Sequence, residues 1–218
     1  MKRIVERVSR SSRVDCVAIA TTMNKSDDPV ASMCAEIGMP CIRGSENDVL
    51  NRMLQAAEEL DADILVRLTG DNPMVDGALV DFVLDGFFAN QPPPDYVANF
   101  GQTVEETGFP YGLYVEVVTV DALERTVARA SEADREHVTW FIRTHPDEFR
   151  IVKLSATVSY PYASLTVDTM AEYEYVRQIF ETQYSINPEF DFTSLSIPIS
   201  LSELEKKSMS EATNKSLS

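Results

Sequence analysis

Three short apolar runs constrain this chain most: VDCVAIAT (14–21), MPCIR (39–43) and ADILVRLT (62–69). Their content of β-branched and apolar residues on successive positions marks strands covered on both faces, as in a parallel sheet. Between them the period changes. Ile4, Val5 and Val8 have helical spacing over 3–10. Asp27-Asp28-Pro29 opens a second helix and Gly38 closes it, with acidic residues and Pro at the start and Gly at the end as helix termini favour. From Glu46 to Leu60, Val49, Leu50, Met53, Leu54, Ala57 and Leu60 form one apolar side. Residues 77–89 read as another helix. Strand–helix alternation of this kind predicts an α/β fold: a mostly parallel sheet flanked by helices, with right-handed crossovers.

Beyond QPPPD (91–95), a rigid loop, the rhythm loosens. YVANF (96–100), LYVEVV (113–118), RIVKLSA (150–156) and SLTVD (164–168) read as strands, and 119–131, 133–144 and 169–183 as helices. We expect one domain over 1–199 with a small α+β insertion near 95–160, and a disordered tail over 200–218, rich in Ser, Lys and Glu. No internal repeat is present.

The formal net charge of −16 argues against nucleic acid as a partner and against an anionic membrane surface. No apolar run is long enough to span a bilayer, and MKRIVERVSRSSRVD is too charged for a secretory signal. The three cysteines lack CxxC spacing and read as small buried hydrophobes, pointing to the cytoplasm. An acidic protein binds an anionic ligand only through a local device, such as a divalent cation, a few arginines or backbone N–H groups.

Candidates for that device lie at the strand ends, where open α/β sheets bind ligands. The ends are Thr21-Thr22, Arg43-Gly44-Ser45, Thr69-Gly70-Asp71-Asn72-Pro73 and Thr166-Val167-Asp168-Thr169. Asp71, between a Gly that lets the chain turn and an Asn-Pro exit, suits a hard cation such as Mg²⁺ or Mn²⁺. Asp168 ends another strand in the same way, and two carboxylates on one edge call for a divalent ion between them. The alternative is that each simply caps the helix that follows. Arg43 with Gly44-Ser45 suits a phosphate or base, or equally a solvated turn in which Asp48 caps or pairs. Arg67, inside a buried strand, needs a partner: Asp71, Asp48 or a ligand. His137 and His145 are read as structural. No P-loop, G-x-G-x-x-G or G-x-S-x-G occurs.

Read together, IVERVSRSSRVDCVAIATT, RGSENDVLNRMLQAA, ILVRLTGDNPMVD, REHVTWFIRTHPDEF and SLTVDTMAEYE resemble, in order over about residues 3–185, the spore-coat polysaccharide/acylneuraminate cytidylyltransferase family. The resemblance implies a nucleotide-diphospho-sugar transferase fold. It also implies transfer of CMP from CTP to a sugar or sugar acid, with release of pyrophosphate, in polysaccharide or cell-surface glycan synthesis. It implies Asp71 and Asp168 as the metal-binding, catalytic pair. Thr21, Thr22, Arg43, Ser45 and Asp48 fall in blocks bordering the nucleotide, and Tyr111, Gly112 and Glu116 where the family surrounds its sugar. A homodimer is the expected assembly.

The chain starts at what resembles the helix after the family's glycine- and arginine-rich triphosphate loop. The expectation is therefore a sheet with a gap or an unpaired inner edge, and activity lowered by about 10² or more through the loss of preorganised charge. A second reading is an N-terminally truncated, non-catalytic relative that binds a nucleotide or sugar nucleotide. A third is a glycosyltransferase-like protein.

Overall fold

The computed structural model describes residues 1–100, 107–156, 164–191 and 194. In chain order the elements are α1 (Lys2–Val8), β1 (Ile19–Thr22), α2 (Asp28–Ile37), β2 (Cys41–Gly44), α3 (Val49–Glu59), β3 (Ile64–Arg67) and α4 (Gly77–Phe88). There follow β4 (Tyr96–Ala98), β5 (Glu116–Thr119), α5 (Val120–Val127), α6 (Glu132–His137), α7 (Trp140–Thr144), β6 (Ile151–Lys153) and α8 (Met170–Ile186).

Local chemistry sets the boundaries. Gly38 closes α2 at φ 67°, ψ 30°, a left-handed cap that a Cβ would disfavour. Asp48 caps α3 by accepting from the Asn51 N–H at 3.1 Å. Asp76 caps α4, accepting from the Leu79 N–H at 2.9 Å. Thr169 and Glu172 form a reciprocal capping box at the start of α8.

The sheet is in two pieces: a parallel pair β1-β2, and a four-stranded piece in the order β3-β5-β4-β6. β4 and β6 are parallel. β5 enters between β3 and β4 and runs against both, placing Arg67 opposite Glu116 and Glu116 opposite Ala98. β1 and β3 share no ladder among the described residues, so each keeps one open edge. The fold is therefore α/β with a mixed sheet flanked by helices, its antiparallel strand coming from the 95–160 segment.

Alternation along β4 and β5 divides the core. Val97 and Val117 face one side, with Leu79, Val83 and Phe87 of α4 and Val176 and Phe180 of α8. Tyr96, Ala98 and Val118 face the other, with Leu50 of α3, Leu123 of α5 and Phe141 and Ile142 of α7. Each fully buried large apolar side chain stabilises by about 1.5–3 kcal/mol.

Four expectations change. The first strand begins only at Ile19, where its partner β2 begins, and Val14 and Val17 pack on the core without a ladder. SLTVD is not a strand; its ladder is a single bridge, Ser164 with Tyr111, while Leu165 and Val167 pack on the core. The helix expected over 133–144 breaks at Val138, and Cys16 is exposed while Cys34 is buried. The tail from residue 200 lies outside the described residues. No helix among the described residues is long and apolar enough to cross a membrane.

Candidate functional site

A cavity of about 500 Å³ opens beyond the carboxyl end of β3, where an α/β sheet presents its loops. Arg67, Thr69 and Asn72 come from β3 and the turn after it, and Glu116 from the start of β5. Phe100, Tyr114, Trp140 and Arg143 form an aromatic and cationic wall, and His137 and Thr139 complete it. Two hollows of about 570 and 560 Å³ lie at the other end of β3, lined by Asp63 and Glu124 with no basic residue. They do not suit an anionic ligand.

Glu116 is the buried charge of this region, 4% exposed. Arg67 pairs with its Oε2. The Tyr96 hydroxyl donates to Oε1 at 2.7 Å and the Thr139 hydroxyl at 2.5 Å. Burial, and then the Glu116 charge, hold the Tyr96 hydroxyl well above its ordinary pKa, so it remains a donor. Arg67 thus finds its partner across the antiparallel ladder, not in Asp71 or Asp48. The sequence could not show this, because the pairing depends on β5 entering beside β3.

The break at Val138 shapes the same wall. Val138 has φ 54°, ψ −65°, and the Thr139 N–H donates to the His137 carbonyl at 2.6 Å. This is a γ-turn with positive φ on a β-branched residue, costing about 1–3 kcal/mol. Burial of Val138 to 1% exposure offsets it. In a continuous helix, residues two apart do not share a face; the turn brings His137 and Thr139 to one cavity. His145 instead stacks on Phe141, centroids 4.0 Å apart, in a structural role.

Asp71 and Asp168 are brought together by backbone. The Val167 N–H donates to the Asp71 carbonyl at 2.8 Å. Neither aspartate caps a helix; Asp76 and Thr169 do. The Thr69 hydroxyl donates to Asp71 Oδ1, and Asn72 Nδ2 donates to Thr69 Oγ1 at 3.0 Å. The Asp168 carboxylate is exposed and has no side-chain partner among the described residues.

Tyr111 and Gly112 belong to the same corner. The Leu165 N–H donates to the Tyr111 carbonyl at 2.7 Å. Gly112 has φ 90°, and a Cβ there would meet the Leu165 carbonyl carbon at 2.4 Å, so only glycine lets the two segments approach. The Tyr111 ring, largely exposed, lies edge-on to Tyr114, centroids 6.0 Å apart. Glu116 alone of these three lines the cavity.

Thr21, Thr22, Arg43, Ser45 and Asp48 gather at the ends of β1 and β2, and their side chains bond within the fold. Both threonine hydroxyls donate to Asp27 Oδ2 at 2.7 Å, as does the Thr22 N–H at 3.0 Å. Those bonds, the Thr22 hydroxyl first, pull the Asp27 carboxyl down to about 2. Arg43 donates to the carbonyls of Thr22 at 2.8 Å and Asn24 at 2.9 Å and pairs with Asp28 at 2.9 Å. Ser45 Oγ accepts from the Asp48 N–H at 3.0 Å, and Asp48 also pairs with Arg135 at 2.8 Å.

Sequence reasoning missed Asn72, Thr139 and Arg143. Asn72 was visible as the neighbour of Asp71, but nothing in the sequence aimed its side chain.

The sheet order and the flanking helices define the class first: a nucleotide-diphospho-sugar transferase fold. The chain belongs to the cytidylyltransferase family, whose model matches residues 1–210. It is 31% identical over 93% of its length to uncharacterized protein MJ1063 of Methanocaldococcus jannaschii, covering 78% of that protein. It is 30% identical over 82% of its length to the spore coat polysaccharide biosynthesis protein SpsF of Bacillus subtilis, covering 74% of it. A shorter stretch, 41% of the chain, is 29% identical to 35% of 3-deoxy-manno-octulosonate cytidylyltransferase of Trichlorobacter lovleyi. Among solved structures, a cytidylyltransferase from Leptospira borgpetersenii superposes with a TM-score of 0.80 at 28% identity, over 95% of this chain and 83% of that one.

Proposed function

We propose that this protein transfers CMP from CTP to a sugar acid, releasing pyrophosphate, in the synthesis of a polysaccharide or surface glycan. The observation that carries the reading is the Val167–Asp71 backbone bond. It ties the Asp168 segment to the Asp71 turn, whose neighbours Thr69 and Asn72 line a cavity with two arginines and three aromatic rings.

The donor set fits a magnesium-like ion. Among the described residues no group of three or more His, Cys, Asp or Glu could hold a metal, so an ion held by Asp71 and Asp168 would have at most two protein carboxylates. Mg²⁺ commonly takes one or two carboxylates and completes its shell with water and phosphate oxygens. Bound there, such an ion stabilises charge on the phosphate oxygens and orients the attacking group. The chain's own part is positional. Thr69 fixes the Asp71 carboxylate, Gly112 lets the 164–168 segment close against the 111–113 turn, and Glu116 anchors the cavity wall. The ends of β1 and β2, with Thr21, Thr22, Arg43, Ser45 and Asp48, supply the nucleotide side. In the reaction a sugar hydroxyl oxygen forms a bond to the α-phosphorus, the bond to pyrophosphate breaks, and the hydroxyl proton leaves to solvent.

The test is pyrophosphate release from CTP with Mg²⁺ and 3-deoxy-manno-octulosonate or a nonulosonic acid. Asp71→Asn should lower the rate by about 10² or more. Equal rates from both proteins would remove Asp71 from the mechanism, and no release with any sugar acid would remove the reaction.

A further inference from the structure

Asn72 Oδ1 and the guanidinium of Arg143, both in the cavity wall, have no hydrogen-bond partner among the described residues, and they differ in kind. Asn72 is 3% exposed, and its Oδ1 has no hydrogen-bond partner among the described residues. The orientation of its amide follows from the neighbouring bonds. Thr69 has one hydroxyl hydrogen and gives it to the Asp71 carboxylate, which as an anion can only accept. Thr69 Oγ1 can therefore only accept from Asn72, so Nδ2 faces Thr69 and Oδ1 stays open. A buried acceptor left unmade costs about 1–3 kcal/mol, which a ligand donor would remove.

The second group is Arg143 on α7. Its guanidinium lies 4.6 Å from the centre of the Phe100 ring and 5.5 Å from that of Trp140. It has no carboxylate partner among the described residues. The other arginine of the wall is neutralised: Arg67 by Glu116. Ring faces hold a guanidinium in place by cation–π attraction while leaving its edge donors open, and a planar fork of N–H groups matches a carboxylate.

We propose that the cavity binds a hydroxylated carboxylic acid, with Arg143 taking the carboxylate and Asn72 Oδ1 accepting from a hydroxyl of the same molecule. The proposal rests on the proposed transfer of CMP to a sugar acid and takes this cavity as the acceptor site, and it makes these two residues the source of selectivity for acidic over neutral sugars. It also joins the two halves of the site, because Asn72 connects through Thr69 to Asp71.

The chain carries a reporter for this test. Its single tryptophan, Trp140, lines the cavity, so fluorescence reads occupancy without CTP, metal or turnover. 3-Deoxy-manno-octulosonate should give a saturable change in the full-length protein, and N-acetylmannosamine, which is neutral, should bind at least about tenfold more weakly. Arg143→Gln should weaken the acid by about 10- to 100-fold and leave the neutral sugar unchanged, with Arg143→Lys restoring part of the loss. Asn72→Ala should weaken the sugar acid by about 3- to 10-fold and leave cyclohexanecarboxylate, which has no hydroxyl, unaffected. Circular dichroism and thermal melts confirm that each variant is folded. Equal binding of acid and neutral sugar, or an unchanged acid affinity in folded Arg143→Gln, overturns the proposal. Acid binding with these effects but no CMP transfer upholds it and refutes the reaction. CMP transfer with an unchanged KM for the acid in Arg143→Gln refutes the proposal and leaves the reaction standing.

Discussion

Arg7 and the Arg67–Asn72 corner show two ways of burying polarity beside the same loop. Arg7 is wholly buried, and all three of its nitrogens are bonded. Nε donates to the Val75 carbonyl at 3.3 Å and Nη1 to Phe190 at 2.9 Å. Nη2 donates to Met74 at 3.1 Å and Asp76 at 3.2 Å. The Phe190 ring lies 4.4 Å from its guanidinium carbon. On the cavity side, the Nε of Arg67 and the Oδ1 of Asn72 are buried without partners. A satisfied network fixes structure, whereas a partly satisfied one is strained toward whatever completes it. The GDNPMVD turn is thus clamped from behind by Arg7 and left open in front, toward the cavity.

The largest way to break this contrast is Arg7→Met. It leaves Asp76 without its arginine and several carbonyls unpaired, so urea unfolding should show a loss of about 3–5 kcal/mol. A loss under about 1 kcal/mol would mean that Arg7 is not the clamp. Asn72→Ala tests the open side. Because Asn72 makes one bond and leaves one acceptor unmade, its removal should cost only about 1 kcal/mol in the same measurement. A loss as large as that of Arg7→Met would show that the corner is structural.

The smallest effect concerns Asp27, whose carboxyl falls from an ordinary 3.8 to about 2. A depressed folded pKa means that its bonds to Thr21 and Thr22 stabilise the fold above about pH 4, and that this contribution is lost as pH falls through about 2. NMR titration should place its midpoint near 2, and Asp27→Asn should flatten the acid side of the stability curve. A midpoint near 4 would show that the β1 end is not ordered in this way in solution.

Much of the framework is legible in the sequence. α2, α3 and α4 begin and end close to where their caps and breakers lie, because capping is local chemistry that residues a few positions apart decide. The T-x-x-E box at Thr169 and Glu172 is written in the sequence in the same way, and it frees Asp168 from the capping role. Asp71 stood out through its Gly and Pro neighbours. The helix over 133–144 looked continuous because helical spacing carries no sign of the γ-turn at Val138. That turn is held by burial of Val138 in the core and by the Thr139 bond to Glu116, and both depend on residues far away in the chain.

The sequence by itself determined the α/β alternation, the ends of α2 and α4 and the place of Asp71 in the turn after β3, since each follows from periodicity and near-neighbour bonding. Tertiary structure alone decided that β5 runs against β3, that Arg67 meets Glu116, that Val167 ties Asp168 to Asp71, and that Arg143 is left facing the cavity. Those outcomes are long-range pairings. Which partner wins is set by burial and register across the sheet, and no local pattern encodes either.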